Sequence, residues 1–299
     1  MNVLELNRVT KSFGAVKAVN NINLSLEKGM VCGYLGPNGA GKTTTIRMIM
    51  GIIMPDSGDI KIFDQNNTLK IRNRIGYLPE ERGLYKKMTV METLLFFAEI
   101  KSKKPKNIRS KAVSWLEKLD LRDNQDNKIE ELSRGMQQKL QFICTMLHDP
   151  ELVILDEPFS GLDPVSTNAI KDAILDLKRK GTTIIFSTHL MENAEKICDT
   201  ICLINKGEKI LDGKIRDIKS RFGENRIRIS YNGQADFLLD KDLVNSFDDY
   251  GNYVEIIPSE NALTQEILKK AVQQVQVTHF EVTSPSLNEI FINMVKQKT

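Results

Sequence analysis

The chain has 299 residues, 41% hydrophobic and 27% charged, long and apolar enough for one large domain or two ordinary ones, which excludes a disordered protein. Its 42 lysines and arginines against 39 aspartates and glutamates leave +3, a balance that argues against a general nucleic-acid binder. No run approaches the roughly 20 apolar residues of a membrane-spanning helix, and the opening residues lack the charged-then-apolar order of a signal peptide, so a cytosolic chain is expected. Cys32, Cys144, Cys198 and Cys202 are scattered in apolar contexts, as reduced core thiols are, not as a disulfide framework or a zinc site.

The first 30 residues alternate apolar and polar positions, as at Val3, Leu4 and Leu6 and again at Ile22, Leu24 and Leu26, before a turn at Glu27-Lys28-Gly29. This predicts an antiparallel edge sheet. Residues 30–36 read as a short buried strand, followed by a glycine-rich loop and a segment from 43 to 53 with helical periodicity. Residues 90–121 carry a helical pattern, split by a lysine-rich linker at 101–106, and predict a helical insertion over about 88–150. Residues 152–157 and 182–189 read as further buried strands, and 200–213 as strand, turn at Asn205-Lys206-Gly207, strand. Strands alternating with helices predict a parallel sheet with helices on both faces.

Past residue 213 the pattern changes to a linker helix at 214–222, strands at 226–231, 253–258 and 277–284, and helices at 262–274 and 287–295. This predicts a small α+β domain over 214–299 behind a larger α/β domain over 1–213, and neither part carries the charge excess of a nucleic-acid binder.

Gly36-Pro37-Asn38-Gly39-Ala40-Gly41-Lys42-Thr43 fits the phosphate-binding P-loop pattern, in which small residues let successive backbone N–H groups face phosphate oxygens. Lying between a predicted strand and helix, the loop and Thr44 behind it are expected to hold the phosphates of ATP, with Lys42 on the β- and γ-phosphates and the Thr43 hydroxyl on Mg²⁺. Leu152-Val153-Ile154-Leu155-Asp156-Glu157 is an apolar strand ending in two carboxylates, at the end of a strand where ligands sit in such sheets. Asp156 is expected to hold Mg²⁺ through water, and Glu157 to accept a proton from an attacking water.

Leu132-Ser133-Arg134-Gly135-Met136-Gln137-Gln138, with Ser133 lying 23 residues before Asp156, is similar to the signature loop of one P-loop family. On these residues the chain resembles the ATP-binding subunit of ABC transporters over positions 1 to about 213. The resemblance implies a P-loop ABC ATPase domain, with parallel core sheet, antiparallel edge sheet and helical subdomain, ahead of the small C-terminal domain. It also implies a head-to-tail pair of subunits in which Ser133 and Gly135 of one chain meet the γ-phosphate held by the other. Arg134 and Met136 depart from the usual Leu-Ser-Gly-Gly-Gln. Ser160-Gly161-Leu162-Asp163 matches the family's D-loop along that seam, and His189, 33 residues after Asp156, matches the histidine that orients the attacking water.

Phe13 resembles the aromatic that stacks on adenine, a core phenylalanine being the competing possibility. Glu80 stands where the family's glutamine touches Mg²⁺, and its added charge is expected to slow hydrolysis or tune it with pH. The run Pro79-Glu80-Glu81-Arg82-Gly83-Leu84-Tyr85 and the ending Ser286-Leu287-Asn288-Glu289-Ile290-Phe291 narrow the resemblance to bacterial ABC-2-type exporters close to the NatA-like sodium-efflux ATPases. That group implies a separate transmembrane permease, a place on the inner face of the cell membrane, and efflux of sodium ions, drugs or peptides. The alternative is a non-transport ABC ATPase acting on nucleic acid or ribosomes. Asn205-Lys206-Gly207-Glu208 is read as a turn, not a guanine-recognition motif. The lysines between Lys101 and Lys111, Lys103, Lys104 and Lys106 among them, are read as a solvated linker.

Overall fold

In the computed structural model, which describes residues 1–66, 71–81, 83–101, 107–222 and 226–297, the alternating opening segment forms a long antiparallel hairpin, β1 (Asn2–Phe13) and β2 (Val16–Glu27). Leu4, Leu6, Val9, Ile22, Leu24 and Leu26 are buried, because a period of two sends alternate side chains to one face. β3 (Val31–Leu35) follows, buried at all five residues, and leads through the glycine loop into α1 (Lys42–Ile49). Two strands that hydrophobic periodicity does not reveal, β4 (Ser57–Ile62) and β5 (Gln65–Asn66), widen the hairpin into a sheet of order β2-β1-β4-β5. β4 is polar along most of its length, so its pairing with β1 leaves no apolar signal.

The core sheet is built from β3, β6 (Ile75–Leu78), β7 (Leu152–Asp156), β8 (Thr183–Thr188), β9 (Thr200–Asn205) and β10 (Glu208–Lys214), in the order β10-β9-β3-β8-β7-β6. All its neighbours are parallel except β9 and β10. α2 (Val90–Lys101), α3 (Ile108–Lys118) and α4 (Arg134–Met146) form the helical insertion between β6 and β7. α5 (Pro164–Arg179) connects β7 to β8, and α6 (Met191–Ile197) connects β8 to β9. Continuous apolar runs such as Val153, Ile154 and Leu155 suit strands covered on both faces. One core joins Leu4, Leu6 and Ile22 of the hairpin to Ile46 and Ile49 of α1 and to Tyr34, Ile154 and Ile185 of the core strands. Each buried isoleucine there contributes about 1.5–3 kcal/mol of transfer free energy, and truncation to alanine costs about 2–5 kcal/mol once the cavity is included.

α6 stops at Ile197, Cys198 closes it, and Cys202 lies inside β9. Burial pushes the Cys32 and Cys144 thiols up to about 12 and holds Cys198 and Cys202 well above the ordinary range. Arg82, Lys103, Lys104 and Lys106 lie outside the described residues.

A second compact unit runs from Ile215 to Thr299. It comprises α7 (Ile215–Phe222), β11 (Arg226–Asn232), β12 (Val244–Asp249), β13 (Val254–Pro258), α8 (Thr264–Gln274), β14 (Gln276–Thr283) and α9 (Leu287–Gln297), the strands forming an antiparallel sheet of order β12-β13-β11-β14. Ile227, Ile229, Val254 and Ile256 pack with Ile267 and Ala271 of α8 in a core of its own. β12 escapes the sequence pattern because only Val244 of its six residues is buried. α8 begins at Thr264 and not at 262, because the Glu266 carboxylate accepts the Leu263 N–H at 3.3 Å and fixes the first turn there. Among the described residues, no helix is long and apolar enough to cross a membrane.

Candidate functional site

The motif residues converge at the carboxyl ends of β3, β6, β7 and β8, where the parallel strands release their connecting loops. Gly41, the N-cap of α1, adopts φ 104°, and a Cβ there would stand 2.3 Å from the Ala18 carbonyl oxygen on β2. Only glycine satisfies both demands. No side chain caps α1, so its first N–H groups are left to a ligand, and the helix end adds partial positive charge. The loop is held from behind as well: Gly207 N–H, from the β9–β10 turn, donates to Ala40 O at 3.0 Å, and Gly207 O accepts from Asn20 N–H at 2.8 Å. The Asn205-Lys206-Gly207 turn therefore supports the phosphate loop.

Lys42 is buried, its ammonium donating to Gly36 O at 2.9 Å and Pro37 O at 3.2 Å and lying 3.4 Å from Glu157 Oε1. His189, directly after β8, brings Nδ1 to 3.1 Å from the same carboxylate oxygen. Glu157 takes a left-handed backbone, φ 47°, in front of Pro158, a conformation costly for a non-glycine residue before proline. Its N–H donates to Ser187 Oγ at 3.1 Å, and Ser187 Oγ in turn donates to Asp156 Oδ1.

Asp156 is fully buried. Burial holds its carboxyl above the usual carboxylate range, against the hydrogen bonds of Ser187 and Thr43, and Glu80 and Glu157 push it the same way. Thr43 Oγ1 lies 3.4 Å from Asp156 Oδ1 and 3.5 Å from Glu80 Oε2, while Asp156 Oδ2 is buried with no hydrogen-bond partner among the described residues. Two carboxylates around one hydroxyl, with a bare buried oxygen, suit a hard divalent cation such as Mg²⁺. A cavity of about 250 Å³ runs over this group, lined by Asn38, Gly39, Gly41, Lys42, Thr43 and Thr44 with Ala18, Glu80 and Glu157. Phe13 is 52% exposed, at the tip of the hairpin that also supplies Ala18, so it is not a core residue.

The signature residues lie apart from that cavity. Ser133 caps α4, its Oγ accepting the Met136 N–H at 3.2 Å, and Arg134 is exposed. A Cβ on Gly135 would sit 3.6 Å from Leu162 and 3.8 Å from the Gly161 oxygen, so the signature and Ser160–Asp163 loops are neighbours. Asp163 caps α5, accepting the Ser166 N–H at 2.9 Å.

Ser187 and Gln141 escape a motif search, and Gln138, the last residue of the signature run, has a structural role that the motif does not show. Ser187 couples Asp156 to Glu157 as described above. Gln138 Nε2 donates to Pro158 O at 3.3 Å, and Gln141 Nε2 to Glu81 O at 3.2 Å, tying α4 to both carboxylate-bearing loops. Their one sequence signal is a polar residue in an otherwise apolar buried stretch.

This arrangement can hold a nucleoside triphosphate and a cation and set a carboxylate base beside the terminal phosphate. A family profile described as "ABC transporter" matches residues 19–160, and one described as "ATP-binding protein DrrA1-3-like, C-terminal domain" matches 213–295. The ABC transporter ATP-binding protein YhaQ of Bacillus subtilis is 40% identical over 293 residues, covering 98% of each chain. The linearmycin resistance ATP-binding protein LnrL of the same organism is 32% identical, again over 98% of each. A solved structure of an ATP-binding subunit of an ABC transporter superposes with a TM-score of 0.69 at 30% identity, covering 74% of this chain and 93% of the other. Matched along almost its whole length at this level of identity, the chain belongs to the ATP-binding proteins of ABC transporters, a family that hydrolyses ATP.

Proposed function

We propose that this chain is the Mg²⁺-dependent ATPase subunit of an ABC-2-type exporter, acting as an ATP-closed pair on a separate permease at the inner face of the cell membrane. The observation that carries the reading is the file of Lys42, Glu157 and His189 at the mouth of the phosphate loop, with Glu157 Oε1 within 3.4 Å of both partners. Phosphate oxygens compete with Glu157 for Lys42, and a carboxylate released from that pairing is free to take a proton from water. His189 holds the carboxylate from the other side. Thr43, Asp156 and Glu80 would hold the cation, whose charge offsets that of the phosphate oxygens. The cavity suits the phosphates, and exposed Phe13 on the adjoining hairpin offers its face to the base.

Ser133 and Gly135 line no part of the phosphate cavity, and the helix-starting position of exposed Ser133 and half-buried Gly135 suits phosphate bound by a second copy. Export is supported by the DrrA-like profile over residues 213–295 and by full-length similarity to a resistance protein. A cavity of about 260 Å³ between the segment after Glu80 and α2 and α4, lined by Pro79, Leu84, Phe97 and His148, suits a permease helix. Beside it Tyr85, Phe96 and Phe97 form an aromatic cluster with centroids 5.5–6.5 Å apart, and Tyr85 is 55% exposed.

The test is the mass of the Glu157→Gln variant by light scattering with Mg²⁺ and ATP. A dimer that forms only with ATP, and is lost when Ser133→Glu is added, is the expected result; an ATP-bound monomer would overturn the paired mechanism.

A further inference from the structure

A cavity of about 550 Å³ lies away from the phosphate loop. Its walls come from segments that precede core strands: Arg74 before β6, Glu151 before β7, Thr182 before β8 and Lys28 ahead of β3. It therefore opens at the amino ends of the parallel strands, whereas the ATP site lies at their carboxyl ends. α3 closes it from the helical insertion through Trp115, and the antiparallel sheet contributes Phe63.

Its chemistry has two parts. Trp115, Phe63, Met146 and Leu177 give an apolar, partly aromatic lining, in a volume typical of small-molecule sites. Around them, the acids are already matched: Arg74 grips Glu151 through two nitrogens, and Lys111 pairs with Asp149. Lys118 is held by Asp176. Lys28 and Lys180 have no ion-pair partner among the described residues, and both are exposed lining residues. Two abutting glycine turns bring them together: a Cβ on Gly29 would stand 3.9 Å from Gly181 O, next to Lys28 and Lys180 respectively. An aromatic-walled cavity with two ammonium groups outside any ion pair on one rim is complementary to a flat, apolar molecule bearing a single negative charge.

We propose that this cavity is a second ligand site, distinct from the ATP site, for a small planar aromatic acid. Such a ligand would bridge α3 of the helical insertion to the loops that open β7 and β8, strands that carry Asp156 and lead to His189 at their far ends.

Trp115 is the only tryptophan in the chain, so the site reports on itself. The probe is 8-anilino-1-naphthalenesulfonate, and its control is N-phenyl-1-naphthylamine, which has the same rings without the charge. The expected result is saturable one-to-one quenching of Trp115 by the sulfonate, at least about fivefold weaker for the neutral amine. The double variant Lys28→Ala, Lys180→Ala should weaken sulfonate binding by a similar factor while its ATPase rate stays at the wild-type value, which shows that it folds. Saturating ADP should leave the Trp115 signal in place. Absent or non-saturable quenching, equal affinity for both probes, an unaffected double variant, or displacement by ADP would each overturn the proposal.

Discussion

Glu157 Oε1 stands 3.1 Å from His189 Nδ1 and 3.4 Å from Lys42 Nζ, so one carboxylate oxygen faces both the ammonium proposed to hold phosphate and the imidazole proposed to orient water. The strained backbone at Glu157 and its N–H bond to Ser187 set the carboxylate in that position.

Replacing Glu157 by glutamine keeps the shape and removes the charge. The variant is expected to bind ATP at least as tightly as the wild type, since Lys42 loses a competing partner, while phosphate release falls by about 10²- to 10⁴-fold. Equilibrium nucleotide binding and steady-state turnover, measured on the same preparation, check both halves. Wild-type turnover would remove Glu157 from the role of base.

Glu80 shares the Thr43 hydroxyl with Asp156. If it helps to hold Mg²⁺, Glu80→Gln should raise the Mg²⁺ concentration for half-maximal ATPase activity several-fold, because a neutral amide is a weaker ligand for a hard cation than a carboxylate. A magnesium titration at saturating ATP reads this directly, and an unchanged midpoint would exclude the role.

His148 gives a pH signature in stability. Burial pushes its pKa down from 6.5 to about 4, helped by repulsion from Lys101 and Lys111 and opposed by the contact of Nε2 with Ile75 O at 3.2 Å. The folded imidazole stays neutral where the unfolded one takes a proton, so its contribution to stability is constant above about pH 6.5 and is lost as pH falls toward about 4. Urea midpoints of wild type and His148→Gln should run parallel above neutrality and converge or cross in that acidic window. Parallel curves throughout would refute it.

Two glycines of one loop should respond differently to a methyl group. Gly41→Ala drives Cβ to 2.3 Å from the Ala18 oxygen at φ 104°, and is expected to abolish ATP binding and to lower stability by about 3 kcal/mol or more. Gly39→Ala meets open space at φ 77° and should cost only the left-handed penalty of about 1–2 kcal/mol. Thermal melts of the two variants separate the cases.

Much of the nucleotide chemistry is legible in the order of the residues, because the phosphate loop, the Asp156–Glu157 strand end and the Ser133 loop are each contiguous runs in which residue type and spacing carry the mechanism. The buried strands are legible for a similar reason, since short apolar runs mark them locally. β4 and β12 are not, because strands polar and exposed along most of their length show no periodic apolar signal.

The sequence by itself determined the family, the phosphate-binding loop and the pair of carboxylates. Tertiary structure decided that Phe13 is exposed, that Lys42 meets Glu157, that Gln138 and Gln141 tie α4 to both carboxylate loops, and that Lys28 and Lys180 share a rim at the opposite end of the sheet. Each of the pairings among these joins residues distant in the chain, and their approach depends on strand order and on how helices lie across the sheet. Local periodicity records which face a side chain takes, not which distant segment lies against it.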